Sequence, residues 1–341
     1  MTCLYYTDKT LHRKIIPGSI LPSMAQKKIR DPKIRPFLKW AGGKTQLLDV
    51  FLHCLPEELK CGAIKKYIEP FLGGGAVFFT LTRQYNFNQC TVCDTNGELV
   101  LTYRVIQNSL EDLIDELGAL DREFNGQDIK GQEDLYYSVR DAFNKALPKI
   151  NFSRFEPAWI KRAAQVIFLN RTCFNGLFRV NQNGEFNVPF GRYKEPDILN
   201  EQKLRNAAAA LRHTKILHGD FSACKTYADD TTFVYLDPPY RPLNRSSSFT
   251  SYSAGGFSDS DQERLAEFFR QLDKKGVKIM LSNSDPRNED PHDSFFDDLY
   301  AGYTIQRVPA RRRINSNGAG RGCINELVIT NYPVPGLPQD V

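Results

Sequence analysis

The chain has 341 residues, 41% of them hydrophobic and 25% charged, enough for one large domain or a domain with a sizeable insert. No apolar run is long enough to span a bilayer and no signal-peptide pattern is present, so a membrane protein is excluded at this level. A net charge of +5 is too mild to argue for nucleic acid by itself, and eight cysteines without a disulfide-like framework suit a reducing cytoplasm.

Residues 1–33 are weakly periodic and basic, and are expected to form a disordered extension. Asp8 and Pro17 interrupt any basic amphipathic helix, against a mitochondrial presequence. Met24 is a second candidate start. Removal of residues 1–23 is therefore expected to leave activity intact, and an inactive truncation would refute this. Next comes "KWAGGKTQLL", which suggests a phosphate-binding P-loop but fails its spacing. G-x-x-x-x-G-K-[ST] needs glycine where Leu38 stands, and no buried strand precedes it. Lys44 then needs another role, and the Trp40 ring could cover an adenosyl ligand.

"KKYIEPF" reads as a strand, followed by three consecutive glycines, Gly73 to Gly75, and by "AVFFTLTRQY" as a helix. Glycine lets a turn tighten and a ligand approach the backbone. "CTVCD" is the next strand and ends at Asp94, where a doubly wound sheet puts the acid that holds ribose hydroxyls. No third spaced glycine follows Gly75, so an adenosine compound without pyrophosphate fits better than a dinucleotide. Cys90 and Cys93 have no matching second pair, and the histidines are dispersed, so no metal site is expected. One long helix is expected through "ELVLTYRVIQNSLEDLIDEL".

Residues 120–195 break the alternation. Two helices, "LYYSVRDAFNKAL" and "AWIKRAAQVIFLN", precede the turn-rich "RTCFNGLFRVNQNGEFNVPFGRYK", in which Asn-Gly chemistry predicts a hairpin. This is expected to be an inserted recognition domain between catalytic segments 34–119 and 196–333, with 334–341 as a tail. Strands resume at "KILHGDF", "FVYLD", "VKIMLSN", "YTIQRV" and "INELVITNY", with the helix "SDQERLAEFFRQLDKK" among them. The last two strands should pair as an antiparallel edge hairpin. The fold class is α/β, a mostly parallel sheet covered by helices on both faces.

"FVYLDPPY" ends a buried strand at a carboxylate, two prolines and a tyrosine. Pro238 and Pro239 leave the sheet on a stiff path, because proline cannot donate to a ladder. Asp237 and the Pro238 carbonyl can both accept from one –NH2 group while Tyr240 stacks on the ring that bears it. An aromatic amine is a poor nucleophile because its lone pair is delocalised. Two fixed acceptors favour a pyramidal nitrogen and free that pair for attack, which suits alkyl transfer to an exocyclic amine. A bare turn without chemistry is the alternative, made weaker by the glycine turn and Asp94 in the same sheet.

Taken together, "FLKWAGGK", "EPFLGGGAVFF", "FNGLFRVN" with "GEFNVPFGRYK", "GDF", "YLDPPY", "FTSY" with "GF", "LSNS" and "RRRINSNGAGRG" resemble the Dam-type, DpnII-like DNA adenine-N6 methyltransferases that modify GATC. The similarity runs from about Pro36 to Tyr332. It implies a Rossmann-like sheet with an inserted, mainly helical recognition domain carrying a hairpin, and S-adenosyl-L-methionine as methyl donor. By the same resemblance Trp40, Lys44, Phe71, Gly73 and Gly75 belong to the cofactor site, Asp94 holds ribose, and Asp220 with Phe221 reads adenine. Asp237, which also borders the cofactor, begins the catalytic loop through Pro238, Pro239 and Tyr240.

The partner so implied is double-stranded DNA, with the target adenine flipped out of the stack. Phe174 would stack into the gap and Asn175 contact the orphaned or a neighbouring base. Arg179 would read a guanine, Pro189 would meet the thymine methyl and Leu177 pack nearby. Lys161, Arg162, Arg171, Arg192, Lys194, Arg311 to Arg313 and Arg321 are expected on phosphates, and Phe249 or Tyr252 near the flipped base. A monomeric cytoplasmic enzyme of bacterial or phage type is expected, compatible with a restriction endonuclease acting independently. The alternatives are a cytosine-N4 or RNA amino-methyltransferase of the same fold, and a catalytically silent DNA-binding regulator.

Overall fold

Phe233, Val234, Tyr235 and Leu236 are completely buried, and their side chains alternate between two cores. Such a strand, apolar on both faces, belongs in the middle of a parallel sheet. The computed structural model describes residues 36–44, 46–241, 257–311 and 323–334. The 1–33 extension, most of the tail, Phe249, Tyr252, Arg312, Arg313, Arg321 and the side chain of Arg311 lie outside them.

Within the described residues the strands are β1 (Lys66–Glu69), β2 (Gln89–Asp94), β3 (Thr214–His218), β4 (Thr232–Leu236), β5 (Lys278–Ser284), β6 (Thr304–Arg311) and β7 (Cys323–Thr330). They form one sheet in the order β3-β2-β1-β4-β5-β7-β6. All neighbours are parallel through β5, and β7 runs antiparallel to both β5 and β6. The expected edge hairpin is thus present. From β1 the chain winds outward to β3, then returns to place β4 on the other side of β1. The order reverses between β1 and β4, and in open sheets ligands bind outside the carboxyl ends at such a point.

The helices are α1 (Leu48–His53), α2 (Glu57–Lys60), α3 (Ala76–Gln84), α4 (Gly97–Asn108), α5 (Leu110–Asn125), α6 (Ile129–Ala146), α7 (Ala158–Thr172), α8 (Glu201–Leu211), α9 (Asp259–Asp273) and α10 (Phe295–Leu299). Phe233 and Tyr235 pack into a core shared with α1, α3 and α4, whereas Val234 and Leu236 face α9 and α10. None of the described helices is long and apolar enough to cross a membrane.

The single long helix expected after β2 is two. Ser109 leaves helical geometry at φ −144° and ψ 48°, and α5 restarts with Glu111 and Asp112 in its first turn, where acids suit the helix dipole. Helix α5 also runs straight across residue 120. Leu117 and Phe124 of α5, Tyr136 and Phe143 of α6 and Phe168 of α7 join the same buried cluster as Leu99 and Val100 of α4. The described residues all belong to one compact unit.

Candidate active site

At or just beyond the carboxyl ends of β1, β2, β3 and β4 stand Phe71-Leu72-Gly73, Asp94, Asp220-Phe221 and Asp237, so the sheet gathers these residues at one mouth. At β1 the turn is held by Asp94: Gly73 N–H donates to its Oδ2 at 2.9 Å and Asn96 N–H to its Oδ1 at 2.9 Å. Burial nevertheless pushes the Asp94 carboxyl up, with these amides opposing it. Gly75 caps α3 at φ +71°, and a Cβ there would lie 2.7 Å from the Tyr103 hydroxyl. Glycine is thus required twice over, by conformation and by space. The Trp40 side chain lies on the same turn, so close that a Cβ on Gly73 would come within 3.2 Å of it. Its ring stacks on Phe178 with centroids 5.3 Å apart.

Beyond β3, Phe221 packs against Phe71 at 5.5 Å and Phe257 at 6.3 Å, while the Arg264 guanidinium sits 4.5 Å above its ring. Arg264 also donates to both oxygens of Asp220, at 2.9 and 3.0 Å. Burial alone would raise the Asp220 carboxyl, but Ser222 and Arg264 hold it below the usual range. Phe71 therefore belongs to an aromatic group with Phe221. The loop after β2 is gripped from the side: His218 Nε2 lies 3.2 Å from the Thr95 carbonyl, and the Phe152 ring covers Gly97. A Cβ on Gly97 would meet Phe152 at 2.8 Å.

At the end of β4, Asp237 Oδ1 pairs with Lys44 Nζ at 2.7 Å and accepts from Ser282 Oγ at 3.2 Å. Ser282 is in turn 2.8 Å from the Tyr235 hydroxyl. Burial drives the Asp237 carboxyl above the ordinary range, and Lys44 and Ser282 counter part of that rise. The Lys44 ammonium stands 4.6 Å from the centre of the Tyr240 ring, so it meets the carboxylate and the aromatic face together. Tyr240 donates its hydroxyl to Glu326 Oε2 at 2.5 Å, and Gln262 Nε2 donates to the Pro239 carbonyl at 3.2 Å. Among the described residues none donates to the Pro238 carbonyl. Lys44, expected along the cofactor, thus also faces the acid of the D-P-P-Y loop.

Phe174 is 52% exposed, and its N–H donates to the Pro189 carbonyl at 2.9 Å. Asn175 takes φ +56°, a strained conformation for a residue with a side chain, while its N–H donates to the Tyr193 hydroxyl at 2.9 Å. The turn is tied down by Asn170, whose amide donates to the Lys39 and Gly176 carbonyls at 2.8 and 2.9 Å. Leu177 packs half-buried on the core. The hairpin closes at Asn181–Gly184, with the Val180–Phe186 bridge and the Asn187 N–H to Arg179 carbonyl bond across it. Exposed Arg179 lies along it, its Nε donating to Asn187 Oδ1 at 2.8 Å.

Two of the expected phosphate contacts are corrected, one by burial and one by an inward hydrogen bond. Arg162 is 1% exposed; its Nε donates to both Glu98 oxygens at 3.1 and 2.9 Å, and it also donates to the Phe143 carbonyl. Arg171 donates inward to the Phe37 carbonyl. Neither can reach a phosphate without breaking these bonds. Lys161 and Lys194 are exposed, as is Arg192, which pairs with Glu133 at 3.1 Å. Cys90 and Cys93 face opposite cores, so their spacing does not converge on one ligand.

Sequence reasoning passed over Glu326, Ser282, Gln262, Arg264 and Asn170. The signal for two of them was there: Glu326 is a lone charge in the apolar "INELVIT", and Asn170 ends the apolar run "VIFLN".

A parallel sheet with a glycine turn after β1, an acid after β2 and a D-P-P-Y loop after β4, all at the reversal point, defines a Rossmann-like methyltransferase. The model of the D12 class N6 adenine-specific DNA methyltransferases matches residues 40–314, and the chain belongs to that family of enzymes. It is similar to the type II methyltransferase M.MjaIII of Methanocaldococcus jannaschii, with 52% identity over 88% of this chain and 100% of that protein. Identity is 38% to the type II methyltransferase M1.LlaDCHI of Lactococcus lactis subsp. cremoris, over 88% and 96% of the two chains. The DNA adenine methylase of Escherichia coli K12 is 32% identical over the same shares.

Proposed function

We propose that this protein transfers a methyl group from S-adenosyl-L-methionine to N6 of the adenine in GATC, taken out of the duplex. The observation that carries this is the Asp237 carboxylate holding an ammonium at 2.7 Å beside the Tyr240 ring. A pocket that accepts a cationic nitrogen against an aromatic face suits an amine that becomes cationic as it reacts.

The cofactor fits the residues present. Gly73 lets the turn lie close against Trp40, Asp94 stands where ribose hydroxyls would be met, and Phe71 with Phe221 offers flat apolar walls to an adenine. When bound, S-adenosylmethionine supplies an electrophilic methyl group. The chain's own residues do the rest. Asp237 and the Pro238 carbonyl grip the two amine hydrogens, and Tyr240 stacks on the base. The nitrogen lone pair would form the new N–C bond as the methyl–sulfur bond breaks and its electron pair stays on the departing thioether; the positive charge would rest beside Asp237, and one proton would then leave to water. Lys44 gives up Asp237 when the amine arrives.

Eversion costs a few kcal/mol. Exposed Phe174 is suited to replace the lost stacking, and Asn175 to meet the orphaned or a neighbouring base. Arg179 reads guanine through O6 and N7, for about 1–3 kcal/mol of discrimination, and Pro189 with Leu177 meets the thymine methyl. Lys161, Lys194, Arg192 and the arginines at 311, 313 and 321 are assigned to phosphates. Residues 120–195 form the recognition segment, set between catalytic segments 34–119 and 196–333 and flanked by the 1–33 extension and the 334–341 tail. The protein works as a cytoplasmic monomer. Since two relatives are named type II methyltransferases, an independently acting endonuclease of the same specificity is the partner to seek.

The test is incubation with methyl-labelled cofactor and duplexes carrying GATC or its scrambled versions, followed by nucleoside analysis and mapping. N6-methyladenine confined to GATC is expected. Label in cytosine, or at adenines irrespective of context, would overturn the assignment.

A further inference from the structure

The charges around the reacting position single out Glu326. Asp237 is already matched by Lys44 at 2.7 Å, and a carboxylate so paired has little attraction left for a second cation. Glu69 does not make up the difference. It is 2% exposed, accepts the Tyr67 hydroxyl at 2.5 Å, and burial pushes its carboxyl well up, which favours its neutral form. Glu326 is placed differently. It lies on β7, opposite Ser284 of β5, so the antiparallel strand brings it to the same mouth as Asp237. It is 6% exposed and takes the Tyr240 hydroxyl at 2.5 Å, while the Lys44 ammonium stands over the ring of that tyrosine. Burial pushes the Glu326 carboxyl up as well, but the Tyr240 hydroxyl and the Lys44 charge oppose that rise, and no cation does so for Glu69.

We propose that Glu326 is a positioning residue of the methyl-transfer site: its charge offsets Lys44, freeing Asp237 for the cationic amine, and its hydrogen bond fixes the Tyr240 ring against which the base stacks. Without Glu326 the site holds one negative and one positive charge. With it, a net negative charge awaits the nitrogen. This rests on the function proposed above.

Two substitutions separate the roles. Glu326→Gln keeps an acceptor for Tyr240 and the side-chain volume but removes the charge; Glu326→Ala removes both. Glu326→Gln should lower the single-turnover methylation rate about tenfold, with the Kd for cofactor and for duplex within twofold of wild type and an unchanged Tm. Adding Lys44→Met should recover part of that loss, because the cation needing compensation is gone. With 2-aminopurine at the target position and no cofactor, Glu326→Ala should reduce the fluorescence rise on binding, and Glu326→Gln should retain it.

A wild-type rate in Glu326→Gln, or a loss that Lys44→Met does not relieve, would overturn the charge role. An undiminished 2-aminopurine signal in Glu326→Ala would overturn the role in fixing Tyr240. Failure of the wild-type protein to methylate or to unstack the probe would instead sink the function itself, independently of Glu326.

Discussion

In the reaction proposed above, Asp237 must be ionised to receive a developing ammonium, yet burial holds its carboxyl above the ordinary carboxylate range. The sign follows directly. A raised value means that the protonated, inactive form persists to higher pH, so kcat should fall on the acid side earlier than an exposed aspartate would dictate. A pH–rate profile under saturating substrates checks this, and an acid limb at or below the ordinary value would contradict it. Asp237→Asn should lower kcat by at least about 100-fold with duplex affinity unchanged, measured by single-turnover methylation and gel shift. Arg179→Ala should relax selection at the first guanine while non-specific duplex binding weakens little. Uniform loss on every sequence with intact discrimination would reject that role. Asp237 and Asp94 were legible in the sequence because each ends an apolar strand, where a charge needs a reason. Glu326 gave the same kind of signal as a lone charge in an apolar strand, but its partner, like that of Ser282, was not legible, since Tyr240 and Asp237 stand 86 and 45 residues away.

Strands were easier to find than helix limits. Each run read as a strand became one, and in β1, β2, β4 and β5 burial on both faces leaves few alternatives. The break at Ser109 escaped notice because apolar periodicity continues through it, and only the backbone change at one residue separates α4 from α5. Arg162 escaped for a related reason. A basic residue on a helix looks solvated until its partner is known, and Glu98 stands 64 positions earlier. That pair fastens α7 to the first turn of α4. Glu98→Ala would strand a buried guanidinium and should cost about 3–5 kcal/mol of unfolding free energy, measured by urea titration. A change below 1 kcal/mol would show that the contact is not a structural clasp.

For the molecule as a whole, the arginines committed inward change how the attraction for DNA should be counted. Phosphate contacts set the slope of affinity against salt, and each is worth roughly one unit on logarithmic axes. Lys161→Ala and Lys194→Ala should each reduce that slope by about one. Arg171→Met should leave it unchanged, because Arg171 is committed inward to Phe37. An equal reduction from all three would restore Arg171 to the interface. Composition alone could not have drawn this distinction: a net charge of +5 counts buried and exposed cations alike.

The contact of Phe152 with Gly97 has a practical consequence for engineering. Three residues before that glycine stands Asp94, so a bulky group at 97 would shove the whole turn that carries this acid. Grafting the proposed recognition segment, residues 120–195, from a relative must therefore keep a matched pair, the aromatic ring and its hydrogen-only landing spot. Chimeras that ignore it should fail first in cofactor affinity, long before their choice of DNA site can be judged.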